Sequence, residues 1–428
     1  MNSADKSSAF YEARKRKGEF MKEIKFGLAG CGGRGRGLTR DILCKLEGVT
    51  VAAVCDPYLD KAETAAKEVL EKKGYEPKVY TDHKKMLDEA GLDAVLVATA
   101  WEYHAEVAID AMERHIAVAL EVGGAYNEEE CKKLVETYEK TKTPVMLMEN
   151  CCFNRDELLA TNLARKGFFG NVVYCHGAYR HDLRHEISYG DINRHYRLRN
   201  YTSRNCENYP THELGPIAKL LNINRGNRMV SLVSMASKSL GLHEYVQDKK
   251  ELEYLKDREF KQGDIVETLI KCENGELISL KLDTTLPYFY SREFTVRGTK
   301  GLYNQDNNMV LLDGKIGEYF ETKNGMKEYW YNAADYEEYL PDIWRGITQE
   351  ILDAGHGGMD YFEFVAFVDA LRNGEEMPID VYDAAAWMSI TYLSEKSIAL
   401  GGAPVEIPDF THGLYKTRKP KDVVKFDR

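Results

Sequence analysis

Between Lys25 and Asn150 short apolar runs alternate with stretches of helical spacing. Ile24–Ala29, Val49–Val54, Val95–Ala98, Ala117–Glu121 and Pro144–Met148 read as buried strands. Helical periodicity fills about Leu38 to Leu46, Lys61–Lys73, His104–Arg114 and Asn127–Lys140. The last of these opens on Asn127 with Glu130 three residues on, a capping-box arrangement that satisfies free N–H groups of the first turn. Apolar strands joined by helices predict a doubly wound parallel sheet with helices on both faces, an α/β domain.

After Asn150 the rhythm changes. A helix is predicted over Arg155–Lys166, with Asn154 and Glu157 at its start. Extended segments follow at Val172–Tyr179, Met229–Ser237, Ile265–Cys272, Leu277–Thr284 and Glu293–Arg297. Glu273-Asn274-Gly275 lies between two of them and signals a hairpin, because Asn-Gly tolerates the positive φ a tight turn requires. The sheet is therefore predicted to be antiparallel and the second domain α+β. Tyr361–Arg372 and Val381–Ser397 read as helices, and Pro404–Arg428 as a polar, irregular tail. A 428-residue chain is long for one core. The predicted division is a dinucleotide-binding domain over 21–150 and a substrate-binding domain over 151–428.

Composition narrows the function classes. Hydrophobic residues make up 43% and charged residues 30%, as in globular proteins, and no apolar run reaches the roughly 18–20 residues that span a bilayer. The N-terminal stretch is charged, with Arg14-Lys15-Arg16-Lys17, and lacks the apolar segment of a secretory signal. A net charge of −11, with both signs interleaved, argues against nucleic acid or an anionic membrane as partner. The nine cysteines are scattered. Cys31, Cys55 and Cys175 fall in strand-like stretches, Cys151 and Cys152 lack metal-site spacing, and no CxxC occurs. Reduced thiols in a cytoplasmic protein are expected.

Gly30-Cys31-Gly32-Gly33-Arg34-Gly35 fits G-x-G-x-x-G between a strand and a helix. Glycines there allow a tight turn and let backbone N–H groups approach a pyrophosphate at the helix N-terminus. Such turns are common alone, but the required strand–turn–helix context is present. Asp56 closes the second strand 26 residues after Gly30, near the spacing of about 20 for the acid that binds the adenosine ribose. Its carboxylate favours NAD over NADP, whose 2′-phosphate it would repel; the plainer alternative is that Asp56 only opens the Asp56-Pro57 turn. Trp101 and His104 follow a strand end, where open α/β sheets bind ligands, and either line the nicotinamide pocket or serve packing and helix initiation. His356 and Asp360 stand at i, i+4, a spacing that suits a metal, but without a third ligand; Gly355–Gly358 reads better as a loop entering a helix, and no metal is expected.

These features resemble the family of glucose–fructose oxidoreductase and inositol 2-dehydrogenase relatives, which join an N-terminal Rossmann domain to a C-terminal domain with an open, mostly antiparallel sheet. Its usual Glu-Lys-Pro motif supplies a lysine; this chain has Glu121-Val122-Gly123-Gly124, without one. A narrower resemblance covers residues 22 to 410. Met148-Glu149-Asn150-Cys151-Cys152, Gly177 to Arg184, Asn208-Tyr209-Pro210-Thr211-His212-Glu213-Leu214-Gly215-Pro216, Asn222 to Gly226 and Gly355 to Asp360 are similar to glycoside hydrolase family 109. That resemblance implies an NAD-dependent α-N-acetylgalactosaminidase-like hydrolase. It implies a sugar pocket lined by Glu149, Tyr179, His181, Arg197, Tyr209, His212 and Tyr290, with Glu121 beside the cofactor. Two departures stand out: Gly123-Gly124 where better-known members have proline, and Glu213 where they have glycine.

The chemistry expected is redox-neutral. Oxidation at sugar C3 acidifies the C2 proton, the anomeric substituent leaves by elimination, water adds, and C3 is reduced again. His212 is the expected base, because an ordinary imidazole pKa of about 6.5 suits proton transfer near neutrality; the alternative is a helix-capping histidine. It is predicted to begin a helix Glu213–Leu221. Tyr209 or Tyr179 would act as second acid/base, though with 27 tyrosines most must be core. A sugar or polyol dehydrogenase in net turnover is the competing reading, and a non-catalytic NAD or sugar sensor a third. The partner expected is a small-molecule glycoside, and analogy with the fold implies a homo-oligomer.

Overall fold

The apolar runs of the N-terminal third form a six-stranded sheet in a computed structural model that describes residues 23–314, 320–323, 326–329 and 332–426. Its strands are β1 (Ile24–Ala29), β2 (Val49–Cys55), β3 (Lys78–Tyr80), β4 (Ala94–Val97), β5 (Ala117–Glu121) and β6 (Val145–Met148). Their order is β3-β2-β1-β4-β5-β6, with every neighbouring pair parallel. The chain leaves β1 first to one side and then to the other, so β1 and β4 flank the switch point where such sheets bind ligands. Strands β4, β5 and β6 are buried at every residue, which explains why they read as continuous apolar runs instead of alternating ones.

Helices Leu59–Lys73, His104–Glu113 and Glu128–Thr141 fall where the periodicity places them. Asn127 accepts the Glu130 N–H at 3.0 Å, and the Glu130 carboxylate reaches back to the Tyr126 N–H at 2.9 Å. The first helix differs from its expected span: it starts at Gly33, runs to Leu38, and widens into a π turn over Thr39–Leu43. Its glycines, poor helix formers, conceal that start. Strand β3 and helix His83–Glu89, capped by Asp82, carry too few apolar residues to show as a pattern.

The chain divides into two compact units, and their boundaries differ from a single cut at 150. The first joins the chain up to Phe153 with Asp342–Ala385 and the stretch from Val423; the second comprises Asn154–Pro341 and Ala386–Asp422. Helix Met359–Asn373 thus belongs with the nucleotide-type sheet. Its Phe367 ring lies 5.8 Å from that of Phe26 on β1, and burying two such rings stabilises the unit by roughly 2–3 kcal/mol each. The Arg14-Lys15-Arg16-Lys17 run lies outside the described residues.

The second unit is built on an eight-stranded sheet. It contains β7 (Val172–Arg180), β8 (Met229–Ala236), β9 (Ile265–Cys272), β10 (Leu277–Asp283), β11 (Thr295–Gly298), β12 (Gly301–Asn304), β13 (Met309–Leu312) and β16 (Val405–Glu406), in the order β13-β12-β11-β7-β10-β9-β8-β16; a separate hairpin pairs β14 (Phe320–Lys323) with β15 (Met326–Tyr329). The large sheet is antiparallel except where β7 and β10 run parallel at its centre. Gly275, at φ +104°, turns the chain between β9 and β10, as the Asn-Gly signal predicts. Helix Arg155–Arg165 starts without the expected cap: the Asn154 amide donates to the Glu157 carboxylate instead of accepting a backbone N–H. Among the described residues no helix is long and apolar enough to cross a membrane, and all nine cysteines are buried and free.

Candidate active site

In the first unit the glycine loop divides its labour. Gly30 has φ +97°, and a Cβ there would lie 2.3 Å from the Ala98 carbonyl; one at Gly35 would lie 2.1 Å from the Gly30 carbonyl. These two glycines let the loop fold onto β4 and onto itself. Gly32 and Gly33 have nothing within 4 Å of where a Cβ would stand, so the turn presents bare backbone with open space, which a pyrophosphate requires. Asp56 accepts the Cys31 N–H and the Tyr58 N–H, each at 2.9 Å. It opens the Pro57 turn and also braces the glycine loop.

Arg34 and Glu121 meet each other: Arg34 Nε donates to Glu121 Oε1 at 2.7 Å, while Arg34 Nη1 and Nη2 clasp Asp360 at 2.7 and 3.1 Å. Burial opposes the charge on Asp360, yet the His356 hydrogen bond and Arg34 hold its carboxyl far below the usual carboxylate range. Asn150 adds an amide N–H to Asp360 at 2.7 Å. His356 and Asp360 are accordingly a loop-to-helix lock on Arg34, as the loop reading of Gly355–Gly358 anticipates. Glu149 is buried just past β6, where it accepts the Cys151 N–H at 3.0 Å.

Trp101 is buried, and a Cβ on Gly123 would lie 2.6 Å from its Cδ1. The absence of a side chain at Gly123 is therefore what lets this indole pack. His104 donates from Nε2 to the Thr99 carbonyl at 3.1 Å. Burial pushes its imidazole down to about 4, so the ring is neutral. Its Nδ1 is buried with no hydrogen-bond partner, an orphaned acceptor beside the strand ends that a cofactor donor would satisfy.

The second unit gathers five of the expected pocket residues into one aromatic cluster. Tyr179 ends β7, and the chain then turns through His181; Tyr209 precedes and His212 occupies the first turn of helix Thr211–Leu220. The Tyr179 ring lies 4.8 Å from Tyr209 and 5.4 Å from His212, with Tyr209 and His212 4.8 Å apart. Tyr290 stands 5.3 Å from His181 and 6.3 Å from Tyr179. Arg197 lies over the Tyr209 ring, 5.1 Å from its centre.

Local sequence explains this convergence. Helix Thr211–Leu220 starts two residues earlier than expected because Pro210 already has helical φ/ψ at its N-cap. Pro216 lacks an N–H, so it leaves the His212 carbonyl without its i+4 donor inside that helix. Gly177 sets the depth at which the helix rests on β7: a Cβ there would meet the Glu213 carbonyl at 2.6 Å.

Polar contacts tune the cluster. The Tyr179 hydroxyl is 3.1 Å from His181 Nδ1. Burial, then the Arg197 charge, lowers the His181 pKa below its ordinary value; the neutral ring can accept the Tyr179 O–H. Burial opposes the charge on Arg197, but Tyr196 and Glu186 keep the guanidinium charged, with Glu186 Oε1 2.6 Å from its Nε. Arg292 donates to the Tyr290 hydroxyl at 3.0 Å and pairs with buried Glu157 at 2.6 Å. Glu186, Arg292 and Glu157 are supports that sequence reasoning misses. Arg292 sits within the Tyr290-Ser291-Arg292 string, but nothing local marks its partner 135 residues away.

Residues 153–417 match the model of the glycosyl hydrolase 109 C-terminal domain, and residues 24–149 that of the oxidoreductase family with an NAD-binding Rossmann fold. This chain belongs to glycoside hydrolase family 109. The family 109 chain is 36% identical to an α-N-acetylgalactosaminidase of Tannerella forsythia, over 96% of its own length and 91% of that protein. It is 35% identical to an α-N-acetylgalactosaminidase of Shewanella oneidensis, over 94% of its own length and 88% of the relative. Among solved structures, apo scyllo-inositol dehydrogenase from Lactobacillus casei superposes with a TM-score of 0.64 at 14% identity, covering 91% of this chain and 99% of that one. An Agrobacterium radiobacter oxidoreductase in complex with NAD+, L-tartaric acid and magnesium gives 0.63 at 16%, covering 90% and 99%. At such identity the likeness concerns the fold. The protein is a glycoside hydrolase with an NAD-binding Rossmann domain.

Proposed function

We propose that this family 109 hydrolase cleaves α-N-acetylgalactosaminides or related glycosides by a redox-neutral, NAD-dependent route. The observation that carries the reading is the Tyr179–Tyr209–His212 cluster, with rings 4.8–5.4 Å apart, in a chain that also has the open glycine loop. A two-carboxylate mechanism needs a facing pair about 5–10 Å apart, and three acids of the second unit near the rings are otherwise engaged or buried. Glu186 is committed to Arg197, while Glu207 and Glu213 are buried. The names of the Tannerella and Shewanella relatives support the sugar assignment.

Gly30, Gly32, Gly33, Gly35 and Asp56 would hold NAD, with Arg34 and Glu121 fixing the loop and Trp101 and His104 at the strand ends. Bound NAD would accept a hydride from sugar C3 and return it at the end of the cycle. His212 would remove the C3 hydroxyl proton. Tyr179 passes its hydroxyl proton to the neutral His181 ring as it takes the C2 proton that the C3 ketone has acidified, and the anomeric C–O bond breaks. Tyr209 donates to the departing oxygen, and water adds at C1. Arg197, His181 and Tyr290 orient the ring hydroxyls, and Glu149 contributes a further carboxylate. We also place the protein in the cytoplasm, in line with its buried free cysteines. A homo-oligomer is supported by the exposed sheet face that carries Met235, Leu269 and Leu277.

The test is cleavage of a panel of aryl α- and β-glycosides in D₂O, following NADH absorbance and deuterium at C2. Aglycone release with deuterium at C2 and no net NADH supports the route and names the sugar. NADH accumulating without aglycone release would make the protein a sugar or polyol dehydrogenase. His212→Ala should retain NAD binding and lose cleavage; retained cleavage removes His212 from the mechanism.

A further inference from the structure

Beneath the aromatic cluster lie two carboxyl groups that no substrate role explains. Glu207 stands two residues before Tyr209, and Glu213 directly follows His212. Their exposures are 0% and 1%. The two carboxyls face one another at hydrogen-bonding reach. Among the described residues no cation pairs with either. Glu207 Oε2 and both oxygens of Glu213 receive no side-chain donor. Two buried carboxylates in contact would repel strongly, whereas a proton on one of them turns the contact into an O–H···O bond.

The surroundings tie this contact to the site. Glu207 Oε1 accepts the Tyr209 N–H at 3.4 Å, and the Glu207 N–H donates to the Ser394 hydroxyl at 2.8 Å. The Glu213 Cβ fills the space that Gly177 leaves on β7. The titratable groups around the pair are His212 and Tyr209 beside it in the chain, Glu267 on β9, Cys206 and Tyr201, none of them a lysine or an arginine. Burial pushes both carboxyls above their ordinary range.

We propose that Glu207 and Glu213 keep at least one proton between them at neutral pH and act as positioning residues that fasten the Tyr209 turn to the first turn of the His212 helix. Glu207 holds the backbone of Tyr209, Glu213 is fixed in the helix next to His212, and the proton joins them. Losing that bond frees Tyr209 and His212 to separate without touching substrate. The kinetic consequence rests on the proposed glycosidase reading; the shared proton does not.

The full-length protein tests both. Infrared difference spectra at pH 7 should contain the carbonyl stretch of a protonated carboxyl, which shrinks in Glu207→Gln and in Glu213→Gln. Glutamine at 213 still donates an N–H, so its kcat should stay within about threefold of wild type. Leucine at 213 has similar bulk and no donor, and should lower kcat about tenfold or more with KM little changed. The His212 ring resonance, assigned by its loss in His212→Ala, should move in Glu213→Leu and not in Glu213→Gln. No protonated-carboxyl band, or equal behaviour of the Gln and Leu variants at matched thermal stability, would overturn the proposal. If no form cleaves any glycoside, the functional reading fails, and the infrared band and the His212 resonance still decide the pair.

Discussion

Gly177→Ala is the substitution whose effect the structure specifies most closely. A Cβ at 177 would lie 2.6 Å from the Glu213 carbonyl oxygen and 3.0 Å from the Glu213 Cβ. Neither neighbour is the tip of a flexible side chain; both belong to the backbone and the first carbon of helix Thr211–Leu220. To reach ordinary contact at 3.4 Å the helix must retreat by up to about 0.8 Å or β7 must bend. Overpacking of this kind costs about 1–3 kcal/mol. For a unit of this size that is a fall in Tm of roughly 2–12 °C. The same retreat separates His212 from Tyr179, which stays on β7. A misplacement near 1 Å can lower a rate by about 100-fold, so kcat should fall about 10- to 100-fold. Thermal unfolding and steady-state cleavage of an aryl α-N-acetylgalactosaminide measure the two effects. Wild-type Tm together with wild-type kcat would refute the claim that Gly177 sets the helix depth; lost stability with intact kcat would refute the link from depth to chemistry.

Asp56→Ala removes the acceptor for one backbone N–H of the glycine loop, at Cys31, and one of the Pro57 turn, at Tyr58, and charge-assisted bonds of this kind contribute about 1.5–3 kcal/mol. NAD affinity measured by calorimetry should fall about tenfold or more, with discrimination against NADP reduced. Asp360→Asn leaves Arg34 facing a neutral partner; with Arg34 one-third exposed, the loss should be about 2 kcal/mol, read as a lower Tm and weaker NAD binding. Gly123→Ala would drive a methyl into Trp101, shifting tryptophan fluorescence and weakening NAD, whereas an unchanged spectrum would mean that Gly123 is not needed by the indole. Because burial holds the protons of Glu207 and Glu213 to a higher pH in the folded protein than in the unfolded chain, the folded state binds more protons from the ordinary carboxyl range upward. Stability should therefore fall as pH rises through that range and above it, and the Glu207→Gln, Glu213→Gln double variant should flatten that slope in urea titrations.

Elements with a strong apolar period were legible in the chain: β1, β2, β4, β5, β6, β9 and β10 fall within a residue or so of their apolar runs. The elements that escaped pattern reading are short and half-polar. Strands β12 and β13 have four residues each with partly exposed side chains, so they lack the alternation that marks a strand with one buried face. The discontinuous first unit was not legible either, because Met359–Asn373 has the same apolar richness whichever sheet it covers. At the site, the rings were legible and their supports were not. Tyr179, Tyr209 and His212 lie in recognisable blocks, but Asp360 on Arg34 is 326 residues away, and such pairings leave no local period.

The two departures from the family pattern make one argument about where this chain has changed. Gly123 is explained by the Trp101 ring, which needs the space a side chain would take. Glu213 is explained by Glu207 and by Gly177, which give its carboxyl a partner and its Cβ a seat. Neither change adds a group to the Tyr179–His181–Tyr209–His212 cluster; both alter what lies beneath or beside the site. A buried acid tolerated next to the presumed base demands a compensating proton, because an unpaired buried carboxylate would cost several kcal/mol. A glycine at 213 would therefore leave Glu207 without its partner and should destabilise this chain. The second change that would make glycine harmless is at Glu207, and a Glu207→Gln, Glu213→Gly double variant more stable than Glu213→Gly alone would establish that the two positions act as a unit.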